Sequence, residues 1–318
     1  MGTQEDQGVR AGRLGVLRIE LWRPTVIRAV LAEHGLRPNK ALGQNFIADR
    51  NHLERIVSVA GLRAGDGVLE IGPGIGAMTR ELSTRCRFVV AVEIDKGLVR
   101  ALAKTCQDLD NVKVVHADIL TLNLAEALSQ IQAGRGRDGA VGPGDTRVVA
   151  NLPYYITTPV IFRLLEHRES IGSMVFLVQK EVAARLAARP GSRDYGALTV
   201  AASSASVITL HGHVPPVAFY PRPEVTSTIV RIDTRTPSEQ ERRLEPLFSE
   251  IVKLSFAQRR KTLRNALSSL TDKDALEQAF RTARLDPALR GEALSVADFW
   301  ALAAAFGNLQ NVQVDARL

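Results

Sequence analysis

Short apolar runs alternate with helical patterns through the middle of the chain. Each run has four to six residues and is followed by a stretch with apolar positions at helical spacing. The runs are Gly67–Ile71, Arg87–Val92, Val112–Val115, Arg147–Ala150 and Ser173–Val178. Strands that alternate with helices favour a mostly parallel sheet covered on both faces. The pattern therefore predicts an α/β fold with a doubly wound sheet.

The ends of the chain differ from this middle part. Residues 1–23 have no periodic pattern and several glycines, which predicts a mobile leader. The first helix is expected at Pro24, and the last strand over residues 226–232. From residue 237 to the end, the pattern of apolar positions predicts helices and no further strand. We therefore predict an α/β domain over residues 24–232 and a small all-α domain over residues 233–318. Residues 133–145, rich in Gly, Arg and Asp, are predicted to be a surface insertion.

Charge and cysteine content limit the classes of function. The formal net charge of +7 and pI near 9.7 favour an anionic partner, although a basic surface alone also fits many enzymes. The cysteines, Cys86 and Cys106, belong to no metal or disulfide motif. No apolar run reaches the roughly 20 residues that span a bilayer. We expect a cytoplasmic protein with no metal and no membrane partner.

A glycine-rich turn follows the first predicted strand. In Glu70-Ile-Gly-Pro-Gly-Ile-Gly76, the missing side chains let backbone N–H groups approach a ligand closely. Glu93 ends the next strand, where a carboxylate binds a ribose diol. These residues alone fit a nicotinamide-dependent dehydrogenase as well as a methyltransferase, and a purely structural turn is a third alternative.

Two further strand ends favour an S-adenosylmethionine site. Asp118 follows the third strand and can accept a hydrogen bond from an adenine amino group, although it can also cap a helix. Asn151-Leu152-Pro153-Tyr154 follows the fourth strand, at the edge where ligands of open α/β sheets gather. A plain proline turn is the alternative there.

The Asn-Leu-Pro-Tyr sequence suits methylation of an adenine amino group. The lone pair of N6 is delocalised into the ring, so two acceptors on its N–H bonds favour a pyramidal, nucleophilic nitrogen and stabilise the developing positive charge. The side-chain oxygen of Asn151 and the carbonyl of Leu152 can be these acceptors. Pro153 stiffens the turn, and Tyr154 offers an aromatic face to an extruded base.

Seven segments, in this order and spacing, resemble the bacterial small-subunit rRNA adenine dimethyltransferases. The segments are Lys40–Ile47, Glu70–Gly74, Val92–Asp95, Ala117–Asp118, Asn151–Thr157, Phe219–Pro223 and Phe256–Asn265. The resemblance covers roughly residues 24 to 310. It implies a Rossmann-like class I methyltransferase that dimethylates N6 of two adjacent adenosines in a hairpin loop near the 3′ end of 16S rRNA. It further implies S-adenosylmethionine as methyl donor and a precursor 30S subunit as partner of a monomeric enzyme.

The resemblance also implies roles for single residues. Asn45 and Ile47 would contact the methionine end of the cofactor, and Gly72 would line its turn. Glu93 would hold the ribose, Asp118 the adenine, and Asn151 both the cofactor and the target amine. Phe219 and Tyr154 would sandwich the target base, although an isolated Phe219 is more often part of a core.

Two motifs argue against the macrolide-resistance relatives that modify large-subunit rRNA. They are Asn151-Leu-Pro-Tyr-Tyr, after the fourth strand, and Gln258-Arg-Arg-Lys-Thr-Leu-Arg264. A non-catalytic ribosome-assembly factor remains the main alternative.

A basic segment lies in the predicted all-α domain. It contains five cations and no acidic residue, and they are Lys253, Arg259, Arg260, Lys261 and Arg264. At 3.6 residues per turn, Lys253, Arg260 and Arg264 would share one stripe of a single helix beside an apolar face. We expect this stripe to meet rRNA phosphates, the alternative being a solvated helix face.

Overall fold

The computed structural model describes residues 20–39, 42–133, 144–258 and 260–309. The larger part of the predicted leader, most of the predicted insertion and Arg259 lie outside these residues. The helices within them are α1 (Pro24–Glu33), α2 (Arg50–Ala60), α3 (Ala77–Ser83), α4 (Lys96–Thr105), α5 (Leu124–Ala133), α6 (Thr157–Glu166), α7 (Lys180–Leu186), α8 (Ala197–Ala205), α9 (Glu239–Ala257), α10 (Leu263–Ala266), α11 (Lys273–Ala283) and α12 (Val296–Gly307). The strands are β1 (Phe46–Ile47), β2 (Gly67–Ile71), β3 (Phe88–Glu93), β4 (Val112–His116), β5 (Thr146–Asn151), β6 (Ser173–Gln179), β7 (Ser206–Val214), β8 (Phe219–Tyr220) and β9 (Ser227–Thr234).

Seven strands form one sheet in the order β4-β3-β2-β5-β6-β9-β7. The first five of these are parallel, whereas β9 and β7 pair antiparallel. Ile71 pairs with both Val92 and Ala150, so the carboxyl ends of β2, β3 and β5 meet at one edge of the sheet. The predicted α/β fold is confirmed, and the predicted strands agree with β2 to β6 and β9 within two residues at each end.

Hydrophobic cores cover both faces of the sheet. Leu69 and Ile71 pack into the core that contains α5 and α6, while Val68 packs into the core under α2, α3 and α4. This two-sided burial explains why the parallel strands consist of continuous apolar runs rather than alternating ones. Among the described residues, no helix is long and apolar enough to cross a membrane.

The sequence analysis missed three strands. β7 is an edge strand with a register shift between Leu210 and His213, and Gly212 in that shift has a φ of +90°. An exposed edge with such an irregularity lacks the clean apolar pattern of a central strand. β1 and β8 have two residues each and pair with one another, Ile47 with Phe219. Strands this short cannot be distinguished from loops by periodicity.

The helices after β9 enclose a core of their own. Phe248, Phe280, Phe299 and Phe306 are all buried in it. Tyr195, from the loop between α7 and α8, is also buried in this core, and its hydroxyl donates to the carbonyl of Leu294 at 2.7 Å. Thus, the loop between α7 and α8 packs into the core of the helical part. β9 ends at Thr234, two residues beyond the predicted domain boundary.

The last residues of the predicted leader are packed. Leu21 is buried with Ile27 and Leu31 of α1, and the Arg23 carbonyl accepts from the Ile27 amide. A single apolar residue before the proline gave no periodic signal. The prediction of a mobile segment up to residue 23 is therefore wrong for this stretch.

The basic segment does not form one helix. Helix α9 ends at Ala257, Gln258 is extended, and α10 begins only at Leu263. The amides of Leu263 and Arg264 donate to the carbonyls of Leu289 and Pro287 instead of continuing α9. The predicted single stripe is wrong because these long-range hydrogen bonds replace the helical ones.

The ends of the basic segment are neutralised by carboxylates from outside it. Lys253 pairs with Glu250 at 3.4 Å, and Arg264 pairs with Glu277 at 2.8 Å. Arg260 and Lys261 are exposed and form no ion pair with the described residues. Among the described residues of the segment, the positive charge without an ion pair therefore lies between the two helices.

Candidate active site

A cleft of about 1080 Å³, including its open mouth, lies over the carboxyl ends of β2 to β5. Its walls come from the loop before β1, the glycine-rich turn after β2, and the loops after β3, β4 and β5. Seven residues singled out from the sequence line it, and they are Asn45, Ile47, Gly72, Glu93, Asp118, Asn151 and Pro153. Strand topology thus brings distant segments of the chain to one place.

The turn after β2 leaves its backbone accessible to a ligand. Gly72 and Gly74 have φ values of +68° and +60°, which favour glycine over residues with a side chain. A Cβ added to Gly74 would lie 2.9 Å from Cε1 of Phe46. The Phe46 ring therefore occupies the space that a side chain at position 74 would need, and it forms one wall of the cleft.

The Glu93 carboxylate is buried at the end of β3. One oxygen accepts from the amide of Gly74 at 3.1 Å and the other from the amide of Asp95 at 3.0 Å. Burial raises the pKa of Glu93, and these backbone hydrogen bonds oppose the shift. These amides fix the carboxylate at the cleft wall, where it can still accept from a hydroxyl donor.

Asp118 begins a tight turn and caps no helix. Its Oδ1 accepts from the Leu120 amide at 2.8 Å, which leaves Oδ2 without a partner among the described residues. Arg163 of α6 holds this turn by donating to the carbonyls of Ile119 and Leu122. The turn presents one carboxylate oxygen beside the cleft, as an acceptor for an amino group.

Asn151 is the last residue of β5 and is oriented by a single hydrogen bond. Its Nδ2 donates to the backbone carbonyl of Asn45 at 2.7 Å. Because the amide nitrogen is engaged, Oδ1 points away from this bond, and no donor among the described residues contacts it. The carbonyl of Leu152 likewise accepts no hydrogen bond from the described residues. Two acceptors in consecutive residues are thus available at the strand end.

The predicted aromatic residues lie beside the cleft rather than in its wall. The Tyr154 hydroxyl lies 3.1 Å from Oγ of Ser227, and burial raises the pKa of Tyr154. Phe219 is only 3% exposed and packs among apolar side chains of α2 and β9. Tyr155, which is 57% exposed, lines the cleft mouth and had no role in the sequence analysis.

Three other lining residues were missed as single residues, although all belong to the recognised segments. Gln44 donates to Asp95 Oδ2 at 3.0 Å and so ties the loop before β1 to the start of α4. Phe46 packs on the glycine-rich turn. Glu70 is fully buried, with the Thr79 side chain beside its carboxyl group. Its position in a run of apolar residues was the only signal for such burial.

Comparisons with known proteins agree with this geometry. The family described as "Ribosomal RNA adenine dimethylase" matches residues 35–306. The chain is 42% identical over 287 residues to a ribosomal RNA small subunit methyltransferase A from Geobacillus thermodenitrificans, covering 89% of this chain and 95% of that one. It is 38% identical over 292 residues to the protein of that name from Clostridioides difficile, covering 91% and 96%.

Solved structures show the same fold. A dimethyladenosine transferase from Plasmodium falciparum superposes with a TM-score of 0.65 at 23% identity, covering 82% of this chain and 97% of that one. The 23S rRNA methyltransferase ErmE superposes with a TM-score of 0.58 at 27% identity, covering 83% and 100%. The sheet, the cleft and the matched length point to one conclusion: the chain is a Rossmann-like methyltransferase of the ribosomal RNA adenine dimethylase family.

Proposed function

We propose that the protein dimethylates N6 of two adjacent adenosines in a hairpin loop near the 3′ end of 16S rRNA, within a precursor of the small ribosomal subunit. The family and the names of its relatives support the reaction and the subunit. The observation that carries the proposal is the orientation of Asn151. Its amide nitrogen is bound to the Asn45 carbonyl, so its oxygen is available to accept from the target amine.

We further propose S-adenosylmethionine as methyl donor. Its sulfonium supplies an already activated methyl group, so the chain needs no strong base. The cleft fits the molecule because it combines a glycine cradle with acceptors at three strand ends. Glu93 would hold the ribose diol and Asp118 the adenine amino group, while Asn45, Ile47 and Gly72 would enclose the methionine end.

The chain's own contribution to the chemistry is orientation and charge stabilisation. Asn151 Oδ1 and the Leu152 carbonyl would accept from the two N–H bonds of N6, which favours a nucleophilic nitrogen and stabilises its developing positive charge. Pro153 keeps the two acceptors in one turn. Tyr154 would stack on the base, with its hydroxyl held by Ser227. Phe219 is buried in the core and would act only by holding β8 against β1, not as the second face of a base sandwich.

The remaining parts of the proposal concern organisation. Residues 24–232 would form the methyltransferase domain and residues 233–318 an rRNA-positioning domain, which the separate helical core supports. Of the basic segment, Arg260 and Lys261 are exposed and form no ion pair with the described residues, so they are its best phosphate ligands. We propose a monomer, because one chain supplies the cleft and all of the proposed roles. We propose a cytoplasmic location, because the proposed substrate is a precursor of the small ribosomal subunit.

Methylation of small subunits that lack these modifications tests the function. The purified protein with S-adenosylmethionine is expected to yield N6,N6-dimethyladenosine at two adjacent positions, detected by mass analysis of rRNA digests. Large subunits serve as the control substrate and should remain unmodified. Stable binding to small subunits without any turnover would identify a non-catalytic assembly factor instead.

Replacing Glu93 by Ala is expected to weaken S-adenosylmethionine binding about 10- to 100-fold, because losing a charged hydrogen-bonding partner costs roughly 1.5–3 kcal/mol. Titration calorimetry on the free protein measures this directly. Glu126→Ala, which removes an exposed carboxylate from α5, is the control and should bind normally. Unchanged affinity in a folded Glu93→Ala variant would remove Glu93 from the site.

A further inference from the structure

The Gln44 side chain connects the loop before β1 to the start of α4. Its Nε2 donates to Oδ2 of Asp95 at 3.0 Å, and its Oε1 accepts from the Asn39 amide at 2.8 Å. Asn45, the next residue, provides the carbonyl that orients Asn151. We propose that Gln44 is a positioning residue for methyl transfer, which sets the position of the Asn45 carbonyl and, through it, the orientation of Asn151. The proposal rests on the proposed function and adds to it a residue that acts only through its neighbours.

Asp95 holds a fixed position for this contact. Its Oδ1 caps α4 by accepting from the amides of Gly97 and Leu98, at 2.7 and 3.2 Å, so Oδ2 remains for Gln44. Burial disfavours the charged form, but the hydrogen bonds from Gln44 and the helix amides lower the pKa of Asp95 below its usual value. Asp95 is therefore a carboxylate at neutral pH, and a hydrogen bond to a charged acceptor is stronger than one between neutral groups.

Asn45 lies between this contact and a pair of strands. On its carboxyl side, Phe46 and Ile47 form β1 and pair with β8. On its amino side, the Gln44 side chain is bound to α4. The Asn45 side chain also turns back onto the Gly43 carbonyl at 3.0 Å. The Asn45 carbonyl is therefore fixed from both sides, and loss of the Gln44 contact would release one of them.

The position of this carbonyl matters because it is the partner that orients Asn151. Asn151 Nδ2 donates to it at 2.7 Å, and Oδ1 belongs to the same planar amide. A displaced carbonyl would let this amide rotate about its last torsion angle, for which Asn has only broad preferences. Oδ1 would then leave the direction that suits an N–H bond of the target amine, although it would still be present in the cleft.

Glutamine has the donor and the acceptor that this position requires. Its amide donates to the carboxylate and accepts from a backbone N–H at the same time, whereas Lys and Arg have no acceptor and an ionised Glu has no donor. The Asp95 amide also donates to Glu93 Oε1 at 3.0 Å. Gln44 therefore links the residue proposed for the ribose to the residue proposed for the target amine.

Gln44→Met tests the role, since it keeps the length of the side chain and removes both hydrogen bonds. Single-turnover transfer to undermethylated 30S subunits, at saturating S-adenosylmethionine, should slow about 10-fold, which lies in the range for coupled neighbouring residues. Combined with Asn151→Ala, the same substitution should slow transfer by less than about twofold, because the acceptor that Gln44 positions is then absent. A general loss of structure would instead slow transfer equally with and without Asn151.

Exchanging the two polar groups tests the contact itself. Asp95→Asn keeps an oxygen for the α4 cap but places an NH2 group against Nε2 of Gln44, and Gln44→Glu places a second carboxylate beside Asp95. Each substitution alone should slow transfer. In the double variant, the introduced carboxylate can accept from the introduced amide and from the Asn39 amide, and the net charge equals that of the wild type. Its rate should therefore return to within about threefold of the wild-type rate.

Gln130→Met is the matched control. Gln130 in α5 also uses both ends of its amide, since it accepts from Lys113 and donates to Glu126, away from the cleft. This variant should transfer methyl groups at the wild-type rate.

The outcomes separate the proposal from its alternatives. A folded Gln44→Met variant with the wild-type rate would overturn the proposal, and so would equal losses with and without Asn151. A double variant as slow as Asp95→Asn alone would also overturn it, and this comparison remains decisive if Gln44→Met does not fold. Absence of transfer by the wild type on these subunits would instead contradict the proposed function, which is a separate result.

Discussion

Asn151→Ala is expected to slow methyl transfer by about 100-fold or more, by analogy with the removal of one hydrogen-bonding group that stabilises transition-state charge. The variant loses the acceptor that the Asn45 carbonyl orients toward the cleft. Single-turnover transfer to undermethylated 30S subunits, with saturating S-adenosylmethionine, measures the chemical step apart from cofactor affinity. The loss should therefore appear in the rate at saturation.

Asn151→Asp provides the matching control. It keeps an oxygen acceptor but loses the Nδ2 donor, and its charge is repelled by the Asn45 carbonyl that Asn151 contacts at 2.7 Å. We expect a loss of rate here as well, because orientation and not merely the presence of an oxygen is required. A folded Asn151→Ala variant that transfers methyl groups at the wild-type rate would refute the assigned role.

The sheet was predictable because its central strands are buried on both faces. Continuous apolar runs such as Ser173–Val178 are typical of strands buried on both faces. The runs that form β3, β4 and β5 are each followed within three residues by a polar residue that lines the cleft. The positions of Glu93, Asp118 and Asn151 therefore followed from strand ends alone. The edge strand β7 did not follow, because its exposed positions and the irregularity at Gly212 hide any periodic pattern.

Features that depend on long-range partners could not be predicted. The contact that orients Asn151 comes from Asn45, 106 positions earlier in the chain. The basic segment shows the same limit, since a count of its own charges does not include the Glu277 partner of Arg264. The break after α9 depends on the Leu289 carbonyl, which helical periodicity does not reveal.

Glu70 was recognised only as part of the glycine-rich segment, yet it is the most unusual carboxyl group of the cleft. It is fully buried, and burial raises its pKa to about 8. A hydrogen bond with the Thr79 side chain opposes this rise in pKa, and the Glu93 charge adds to it. In the folded protein Glu70 is therefore largely protonated at neutral pH. In the unfolded chain it ionises near its ordinary pKa of about 4.3.

This difference predicts a pH-dependent stability. The contribution of neutral Glu70 is fully present below about pH 4 and is lost as the pH rises to about 8, because only the unfolded chain ionises in that window. Each unit of pKa difference corresponds to about 1.4 kcal/mol, so the total loss between the unfolded and folded pKa values is about 5 kcal/mol. Glu70→Gln removes the ionisable group and should escape this loss.

Urea unfolding of the free protein at pH 5.5, 7 and 8.5 is the measurement. The free energy of unfolding of Glu70→Gln, relative to that of the wild type, should increase with pH and level off above about pH 8. Comparing the two proteins at each pH removes the contributions of other titrating groups that Glu70 does not contact. The exposed Glu126→Gln substitution is the matched control and should show a constant difference. If the difference for Glu70→Gln is equally constant, Glu70 titrates alike in the folded and unfolded states, and the buried carboxyl does not hold its proton at neutral pH.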